Sequence, residues 1–204
     1  MFEYPSIPGA SGQSFQEFDA YVFAKPDGRN TRWEWSRKRG WHKFGTRTRR
    51  FDETDPEYAP AITLFHASLA DPVERIAKKQ RWDRLVAFAE WWGDQSLAGF
   101  LSPDDTTYLS LFDVVVAEDQ GLLGPRDFVK LFVDEVPTVG YLGRHHWTRG
   151  FVERVWRGEV EGASFEGVVG KGVRGEKAKA KTRAWVEAIR ARYAPDEAEA
   201  IIDS

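Results

Sequence analysis

The sequence predicts an α+β domain in which strands and short helices alternate irregularly along the chain. A length of 204 residues gives room for one ordinary domain. An apolar fraction of 42%, with 14% aromatic residues, can fill a sizeable core. The β-rich runs are separated by amphipathic helical patterns, without an internal repeat or a Gly/Ser linker. We therefore expect residues 1–204 to form a single domain.

The strand predictions rest on period-two alternation and on turn residues. Residues 18–24 predict a strand that ends near the turn Pro26-Asp27-Gly28. Aromatic and polar residues alternate over residues 32–35 and 41–44, on either side of Lys38-Arg39-Gly40, which predicts a β-hairpin. Further strands are predicted over residues 85–92, 108–116 and 165–170.

The helix predictions rest on capping residues and on 3.6-residue periodicity. Asp71 is expected as an N-cap, because Pro72 follows at the first helical position and Glu74 at the third. Apolar residues at helical spacing predict three more helices, over residues 125–133, over residues 151–156 and after Thr182.

Several classes of protein are excluded by what the sequence lacks. It contains no cysteine, which excludes disulfides, thiolate zinc sites, iron–sulfur clusters and cysteine nucleophiles, and indicates a reducing compartment. No run approaches the roughly 18 apolar residues of a membrane helix. The first residues show no pattern of a secretory signal. We therefore expect a cytoplasmic protein with no membrane partner.

The charge distribution indicates a polyanionic ligand, although the net charge is only -3. Residues 25–50 contain ten Lys or Arg and two acids, and residues 171–192 contain eight Lys or Arg and two acids. A single basic run is usually a solvated face. Two such segments in an otherwise acidic chain favour a site for phosphates or nucleic acid.

Three short motifs in the first 120 residues are candidates for chemistry. Lys25 ends a predicted strand close to Gly28, where a lysine can act as a nucleophile or can simply occupy an exposed turn. Glu90 interrupts an apolar strand, so its carboxylate faces either solvent or a ligand hydroxyl. Phe112 lies in another apolar strand, where it is either a core residue or a stacking surface.

Further candidates lie in the second half of the chain. Glu166 and Lys171 bracket a short apolar strand. Lys179 and Lys181 are two residues apart, so on an extended segment both point to the same side; this suits a polyphosphate, or else a solvated strand edge. The pair His145-His146 has no third metal ligand nearby in sequence, and we expect a loop that contacts solvent or phosphate.

The order of these motifs is more specific than any one of them. Lys-x-Asp-Gly, Glu-x-x-Gly, an aromatic strand, Glu-Gly-Val-Val and Lys-x-Lys follow one another between residues 24 and 185. This series resembles that of the covalent nucleotidyltransferases, which comprise ATP-dependent DNA ligases, RNA ligases and mRNA capping guanylyltransferases. The chain looks most like the RNA ligase 2 type. Asn30 stands where DNA ligases usually carry Arg, and the segment 43–47 resembles one that holds an Arg near the end being joined.

The resemblance implies a fold and a reaction. The fold would be a nucleotidyltransferase (adenylation) domain, with two antiparallel sheets, flanking helices and the nucleotide between the sheets. In the reaction, Lys25 would attack the α-phosphate of ATP and carry AMP. The AMP would then pass to a 5′-phosphate end, and a 3′-hydroxyl would displace it. The partner would be RNA, or nicked nucleic acid, with those two ends.

The resemblance also implies a role for each matching residue. Glu90 would bind the ribose, Phe112 would stack on adenine, and Glu166 would hold Mg²⁺ or Mn²⁺. Lys179 and Lys181 would bind the α-phosphate, and Asn30 and Arg47 would bind the polynucleotide end. The positive charge of the two phosphate-binding lysines and of the metal is expected to disfavour the charged form of Lys25.

Other functions remain open at this point. The chain could be a minimal DNA ligase core, a capping guanylyltransferase that uses GTP, or a nucleic-acid-binding module of the same fold that does not catalyse. Only 23 residues follow Lys181. We therefore expect no C-terminal OB-fold or accessory domain, and an accessory protein could take the place of one.

Overall fold

A computed structural model describes residues 4–9, 15–47, 49–116 and 121–203. Strands and helices alternate irregularly along these residues, which confirms the predicted α+β class. In chain order the elements are β1 (Phe18–Lys25), β2 (Gly28–Ser36), β3 (Gly40–Gly45), β4 (Arg50–Phe51), α1 (Ala59–Ser68), α2 (Ala70–Lys79), β5 (Arg84–Gly93), β6 (Thr107–Val116), α3 (Pro125–Phe132), β7 (Tyr141–Trp147), α4 (Arg149–Trp156), β8 (Gly167–Gly172), β9 (Lys177–Lys181), α5 (Arg183–Arg192) and α6 (Pro195–Asp203).

The chain divides into two compact units, each built on one antiparallel sheet. Unit 1 comprises Met1–Tyr4 and Gly28–Thr138, and its sheet has the strand order β4-β3-β2-β5-β6. Unit 2 comprises Pro5–Asp27 and Val139–Ser204, and its sheet has the order β7-β1-β8-β9. The two antiparallel sheets implied by the resemblance are confirmed.

Period-two alternation directs the core of unit 1. Trp33 and Trp35 of β2 are both buried, and Trp33 stacks on Phe65 of α1 with 4.0 Å between ring centroids. Glu34, between them, faces the other side of the sheet, because successive side chains of a strand alternate. The predicted hairpin is confirmed, since Trp33 pairs with Phe44, and Trp35 pairs with Trp41.

The same alternation directs unit 2. One face of its sheet packs Ala20, Val22 and Val168 against Phe151 of α4. The opposite face carries Lys25, because this residue is odd-numbered in a strand whose even-numbered residues are buried in that core.

The helix predictions need three corrections, one of which is that helix α6, after α5, was not predicted. The start predicted at Asp71 is displaced, because α2 begins at Ala70 with Leu69 in the N-cap position and Asp71 in the first turn. Helix α1, just before it, was not predicted at all. It has no capping side chain, and its apolar residues are not confined to one stripe, so its sequence lacks the usual helical signal.

The helix predicted after Thr182 is confirmed as α5. Thr182 is its N-cap, and the Thr182 hydroxyl accepts a hydrogen bond from the backbone N–H of Trp185 at 3.1 Å. None of the helices within the described ranges combines the length and apolarity needed to cross a membrane.

Candidate active site

Lys25 is the last residue of β1, as the sequence predicted. Its backbone carbonyl accepts a hydrogen bond from the Ser164 hydroxyl, which fixes the strand end. The side chain is 26% exposed, and its Nζ lies 2.6 Å from Oε1 of Glu166. The candidate nucleophile is therefore a partly accessible lysine in a close ion pair, and not an exposed lysine in a turn.

Glu166 precedes β8, and only 5% of its side chain is exposed. Its backbone carbonyl accepts from the N–H of Thr182 at 2.9 Å, which ties it to the start of α5. Burial raises the pKa of the Glu166 carboxyl, and the neighbouring Lys25 and Lys181 oppose this rise. A carboxylate without these cations would be costly at such a position.

Gly167 brings two of the predicted lysines onto one face. It pairs with Lys25 of β1 on one side and with Lys181 of β9 on the other. Directly opposite residues of antiparallel strands project to the same face. A Cβ on Gly167 would lie 2.0 Å from the carbonyl oxygen of Ala180, and its φ is +147°. Only glycine fits this approach of the backbones.

Lys181 completes the contact with the buried carboxylate. Its Nζ lies 3.7 Å from Oε1 of Glu166 and 4.4 Å from the ring centroid of Trp185. The same ammonium donates to the carbonyls of Ile201 and Ile202, at 3.2 Å and 2.7 Å, in the last turn of α6. Burial lowers the pKa of Lys181 to about 8, although Glu166 acts in the opposite direction.

Lys179 shares this face of β9, because it is two residues before Lys181. It is 5% exposed, and its backbone N–H donates to the Pro8 carbonyl at 3.0 Å. The prediction that both lysines point to one side is confirmed, and the alternative of a solvated strand edge is wrong for Lys179. We call Lys25, Glu166, Lys179 and Lys181 the lysine–carboxylate cluster.

The neighbours of Lys25 include an anion as well as cations. The sequence led us to expect that Lys179, Lys181 and a metal would disfavour the charged form of Lys25. The cluster instead places the Glu166 carboxylate directly on the Lys25 ammonium. An ion pair of this length favours the charged, non-nucleophilic form of a lysine. A nucleophilic role for Lys25 would therefore require this ion pair to be weakened.

Asn30 and Glu90 are brought together in unit 1. Asn30 of β2 lies directly opposite Glu90 of β5 in the register, so the two side chains share a face. Both are half-buried. Glu90 is therefore not on a fully solvated face, and Asn30 lies next to the residue expected to bind the ribose.

Phe112 lies at an irregularity in the pairing of β5 with β6, where Phe88 pairs with Asp113 and Ala89 pairs with Leu111. It is half-buried, so it is not part of the closed core. The Tyr4 ring meets it edge-on at 5.0 Å between centroids, and the Tyr4 hydroxyl donates to Oδ2 of Asp113 at 2.9 Å. Burial and the nearby Asp113 raise the pKa of Tyr4. We call Asn30, Glu90 and Phe112 the unit 1 face.

Arg47 is exposed in the turn between β3 and β4. The backbone N–H of Thr46 donates to the Arg49 carbonyl at 2.8 Å and closes this turn. Arg47 therefore lies just beyond the second strand of the hairpin, on the surface, and its role at a polynucleotide end stays a prediction.

The prediction of a loop at His145-His146 is wrong. Both residues belong to strand β7. Nδ1 of His146 lies 2.5 Å from Oδ1 of Asp19, and Nε2 of His145 lies 3.0 Å from the Leu142 carbonyl. Neighbouring protein groups, rather than a bound ligand, account for these contacts.

A divalent cation fits Glu166 as one oxygen ligand. The carboxylate is a hard donor of the kind that Mg²⁺ and Mn²⁺ prefer. Within the described part of the chain, no group of three or more His, Asp or Glu residues could hold a metal ion. Any ion at Glu166 would thus take its remaining ligands from phosphate oxygens and water.

Two residues that touch the cluster were not assigned to the site from the sequence. Asp27 was recognised only as part of the Lys-x-Asp-Gly motif, and Trp185 only as an apolar residue of a helix. The indole Nε1 of Trp185 donates to Oδ2 of Asp27 at 2.6 Å. These residues are 158 positions apart, so no local pattern could have shown the contact.

Solved structures share this fold at low sequence identity. One Naegleria gruberi RNA ligase variant, determined with AMP and Mn, is 18% identical with a TM-score of 0.61, over 83% of this chain and 51% of that one. Another variant of the same ligase, without ligand, is 18% identical with a TM-score of 0.63, over 93% and 64%. An Aquifex aeolicus protein assigned as an ATP-dependent DNA ligase is 21% identical with a TM-score of 0.61, over 99% and 57%.

These comparisons settle the fold. The chain shares the fold of the matched part of these ligases. It spans between about half and two thirds of the length of the structures that it matches. No protein-family model matches the sequence, and no curated relative matches it either.

Proposed function

We propose that the protein is an ATP-dependent RNA ligase that works through a covalent lysyl-AMP intermediate on Lys25. The observation that supports this most is the lysine–carboxylate cluster. Lys25, at a strand end, lies 2.6 Å from the buried Glu166, and Lys181 lies 3.7 Å from the same carboxylate oxygen. A nucleophile, a carboxylate and a second cation on one face match what phosphoryl-type transfer requires.

In the first step, Nζ of Lys25 loses a proton to solvent and attacks the α-phosphorus of ATP. A phosphorus–nitrogen bond forms, and the bond to the bridging oxygen breaks, so that pyrophosphate leaves with the electron pair. Lys179 and Lys181 offset the negative charge of the phosphate as it reacts. Electrostatic groups in such positions are worth roughly 10²- to 10³-fold each.

Glu166 holds the metal ion in this proposal. When bound, Mg²⁺ or Mn²⁺ would supply positive charge beside the phosphate and would compete with Lys25 for the carboxylate. Unit 1 provides the nucleotide contacts: Glu90 binds the ribose hydroxyls, and Phe112 stacks on the adenine.

The later steps join polynucleotide ends. AMP passes from Lys25 to a 5′-phosphate, and a 3′-hydroxyl then displaces AMP to form the phosphodiester. Arg47, with a planar guanidinium in an exposed turn, is suited to bind the terminal phosphate. Asn30 binds the same polynucleotide end in this proposal. The reaction takes place in the cytoplasm, and an accessory protein could hold the polynucleotide.

The experiment that tests the covalent step is incubation with α-labelled ATP or GTP and Mg²⁺, followed by a denaturing gel. A labelled band with ATP is expected. A band with GTP alone would indicate a capping guanylyltransferase, and the absence of any label would favour a non-catalytic nucleic-acid-binding module.

The polynucleotide is tested separately, with nicked duplexes of RNA and of DNA that carry 5′-phosphate and 3′-hydroxyl ends. Sealing of RNA in preference to DNA is expected. Equal sealing of both would remove the RNA assignment, and preference for DNA would indicate a minimal DNA ligase core, in line with the similarity to the Aquifex protein.

A further inference from the structure

Trp185 touches two parts of the candidate active site through two different properties of one side chain. Its indole Nε1 donates to Oδ2 of Asp27 at 2.6 Å. Its ring faces the ammonium of Lys181, with Nζ 4.4 Å from the ring centroid. The side chain is 2% exposed, so both contacts are made in a desolvated setting, where such interactions are strongest.

Both residues that Trp185 contacts lie close to a residue of the proposed reaction. Asp27 lies two residues after Lys25, in the bend that joins β1 to β2. Lys181 lies opposite Gly167 and beside Glu166. A shift of the indole would therefore move both the bend that follows the nucleophile and the cation beside the carboxylate.

The backbone around Trp185 is itself held in place. The Thr182 hydroxyl accepts from the N–H of Trp185 at 3.1 Å and donates to the Phe165 carbonyl at 2.6 Å, one residue before Glu166. The indole is thus anchored to the same backbone that presents the carboxylate. A rigid aromatic ring on such an anchor has little freedom to adjust when a contact is lost.

We propose that Trp185 is a positioning residue for the adenylylation of Lys25. Its hydrogen bond to Asp27 and the contact of its ring with the Lys181 ammonium align Lys25 with Lys181. In this role it acts through Asp27 and Lys181. This role rests on the proposed function. It predicts a loss in the rate of transfer at saturating ATP, because misplacing reacting groups slows the chemical step more than it weakens ground-state binding.

The test compares single-turnover transfer of α-labelled ATP in three variants. Trp185→Phe keeps an aromatic face toward Lys181 but loses the N–H donor, and a fall of about 10- to 100-fold is expected from the loss of a hydrogen bond to a charged group. Trp185→Leu loses the ring as well and should be slower by a further factor of about 2 to 5. The half-saturating ATP concentration should change less than twofold in Trp185→Phe.

Trp147→Phe is the matched control in the same unit. Trp147 is also fully buried, and among the described residues its Nε1 has no hydrogen-bond partner. This variant should lose thermal stability much as Trp185→Phe does, yet transfer AMP at the wild-type rate. If both Phe variants lose the same fraction of the rate, Trp185 acts through general packing, and the positioning role is wrong.

Asp27→Ala tests the hydrogen bond from its other end, because alanine has no acceptor for the indole N–H, and it serves alone if Trp185→Phe does not fold. Asp27 is not a core residue, so the protein should still fold while transfer slows. The double variant Trp185→Phe/Asp27→Ala should be about as slow as the slower single variant, because both changes disrupt one bond. Effects that multiply in full, or a wild-type rate in either single variant, overturn the role. Absence of label in the wild type would instead overturn the proposed function and the role together.

Discussion

The lysine–carboxylate cluster of unit 2 and the unit 1 face both use directly opposite residues of antiparallel strands, which share one side of a sheet: Lys25 and Lys181 flank Gly167, and Asn30 lies opposite Glu90. Their chemistry differs. In the cluster, Lys25 and Lys181 lie beside the Glu166 carboxylate, and Glu166 and Lys179 are almost fully buried. Asn30, Glu90 and Phe112 are half-buried, and they offer an amide, a carboxylate and an aromatic ring.

This difference indicates a division of labour under the proposed function. Buried charges act strongly on a reacting phosphate, whereas half-buried polar and aromatic groups recognise a sugar and a base. Substitutions in the cluster should therefore change the rate of transfer, and substitutions on the unit 1 face should change affinity. The predictions that follow test this division of labour.

The largest effect is expected at Lys25. Lys25→Ala should lower formation of the labelled intermediate by at least about 10³-fold, because it removes the nucleophile. Lys25→Arg should be equally inactive, since a guanidinium stays protonated. Lys78→Ala is the control, because Lys78 also forms a 2.6 Å ion pair, with Glu74 in unit 1. A labelled band in Lys25→Ala would show that another residue is the nucleophile.

Glu166→Ala and Lys181→Ala should each slow label transfer by roughly 10²- to 10³-fold. Lys181→Ala removes a positive charge beside the reacting phosphate, and Glu166→Ala removes the carboxylate that would hold the metal ion. His145→Ala and His146→Ala, made in parallel, should transfer label normally. His145 contacts the Leu142 carbonyl of its own strand, and His146 contacts Asp19. Near-normal transfer by Glu166→Ala would mean that the ion pair with Lys25 is structural only.

Arg47→Ala should separate the steps of the reaction. It should form lysyl-AMP normally but pass AMP to a 5′-phosphate about 10- to 100-fold more slowly, because it loses a charge-assisted contact with phosphate. The measurement uses enzyme that is adenylylated in advance, freed of ATP and mixed with nicked duplex.

Salt provides an independent check on the basic hairpin. End binding should weaken with salt at a log–log slope of about -0.7 to -0.9 for each neutralised phosphate, and Arg47→Ala should reduce that slope by about one such contribution. Discharge of AMP at the wild-type rate, with the slope unchanged, would place the end-binding site elsewhere.

Glu90→Ala and Phe112→Ala should raise the half-saturating ATP concentration by about tenfold and leave transfer at saturating ATP within about threefold, because they remove ground-state contacts with ribose and base. Both constants come from one titration of label transfer against ATP. If the rate at saturating ATP collapses instead, the unit 1 face takes part in the chemistry, and the division of labour is wrong.

The smallest effect concerns stability and pH. The pKa of Lys181 in the folded protein is lowered to about 8, so above this pH the folded state binds fewer protons at Lys181 than the unfolded state does. Lys181 therefore increases the free energy of unfolding as the pH rises from 8 toward 10.5. The increase is on the order of 1 kcal/mol after allowing for solvent screening. Denaturant unfolding of wild type and Lys181→Met, at several pH values in this range, isolates the contribution; equal pH dependence would contradict it.

The α+β class, the hairpin of β2 and β3, helix α5 with Thr182 beside its start, and the candidate residues could all be predicted from the sequence. These are local properties. Strand alternation and helix capping depend on residues that are close together in the sequence. Two lysines that are two residues apart on a strand lie on the same face for the same reason.

Tertiary structure decided which of these residues meet. The ion pair of Lys25 with Glu166 joins positions more than a hundred residues apart, and the sequence did not predict that these two side chains are in direct contact. The contacts of Trp185 with Asp27, and of Lys181 with the last turn of α6, have no local signal at all. Strand register and burial set such distances, and they depend on how the whole chain packs, because the free energy of a buried charge depends on the neighbours that replace water around it.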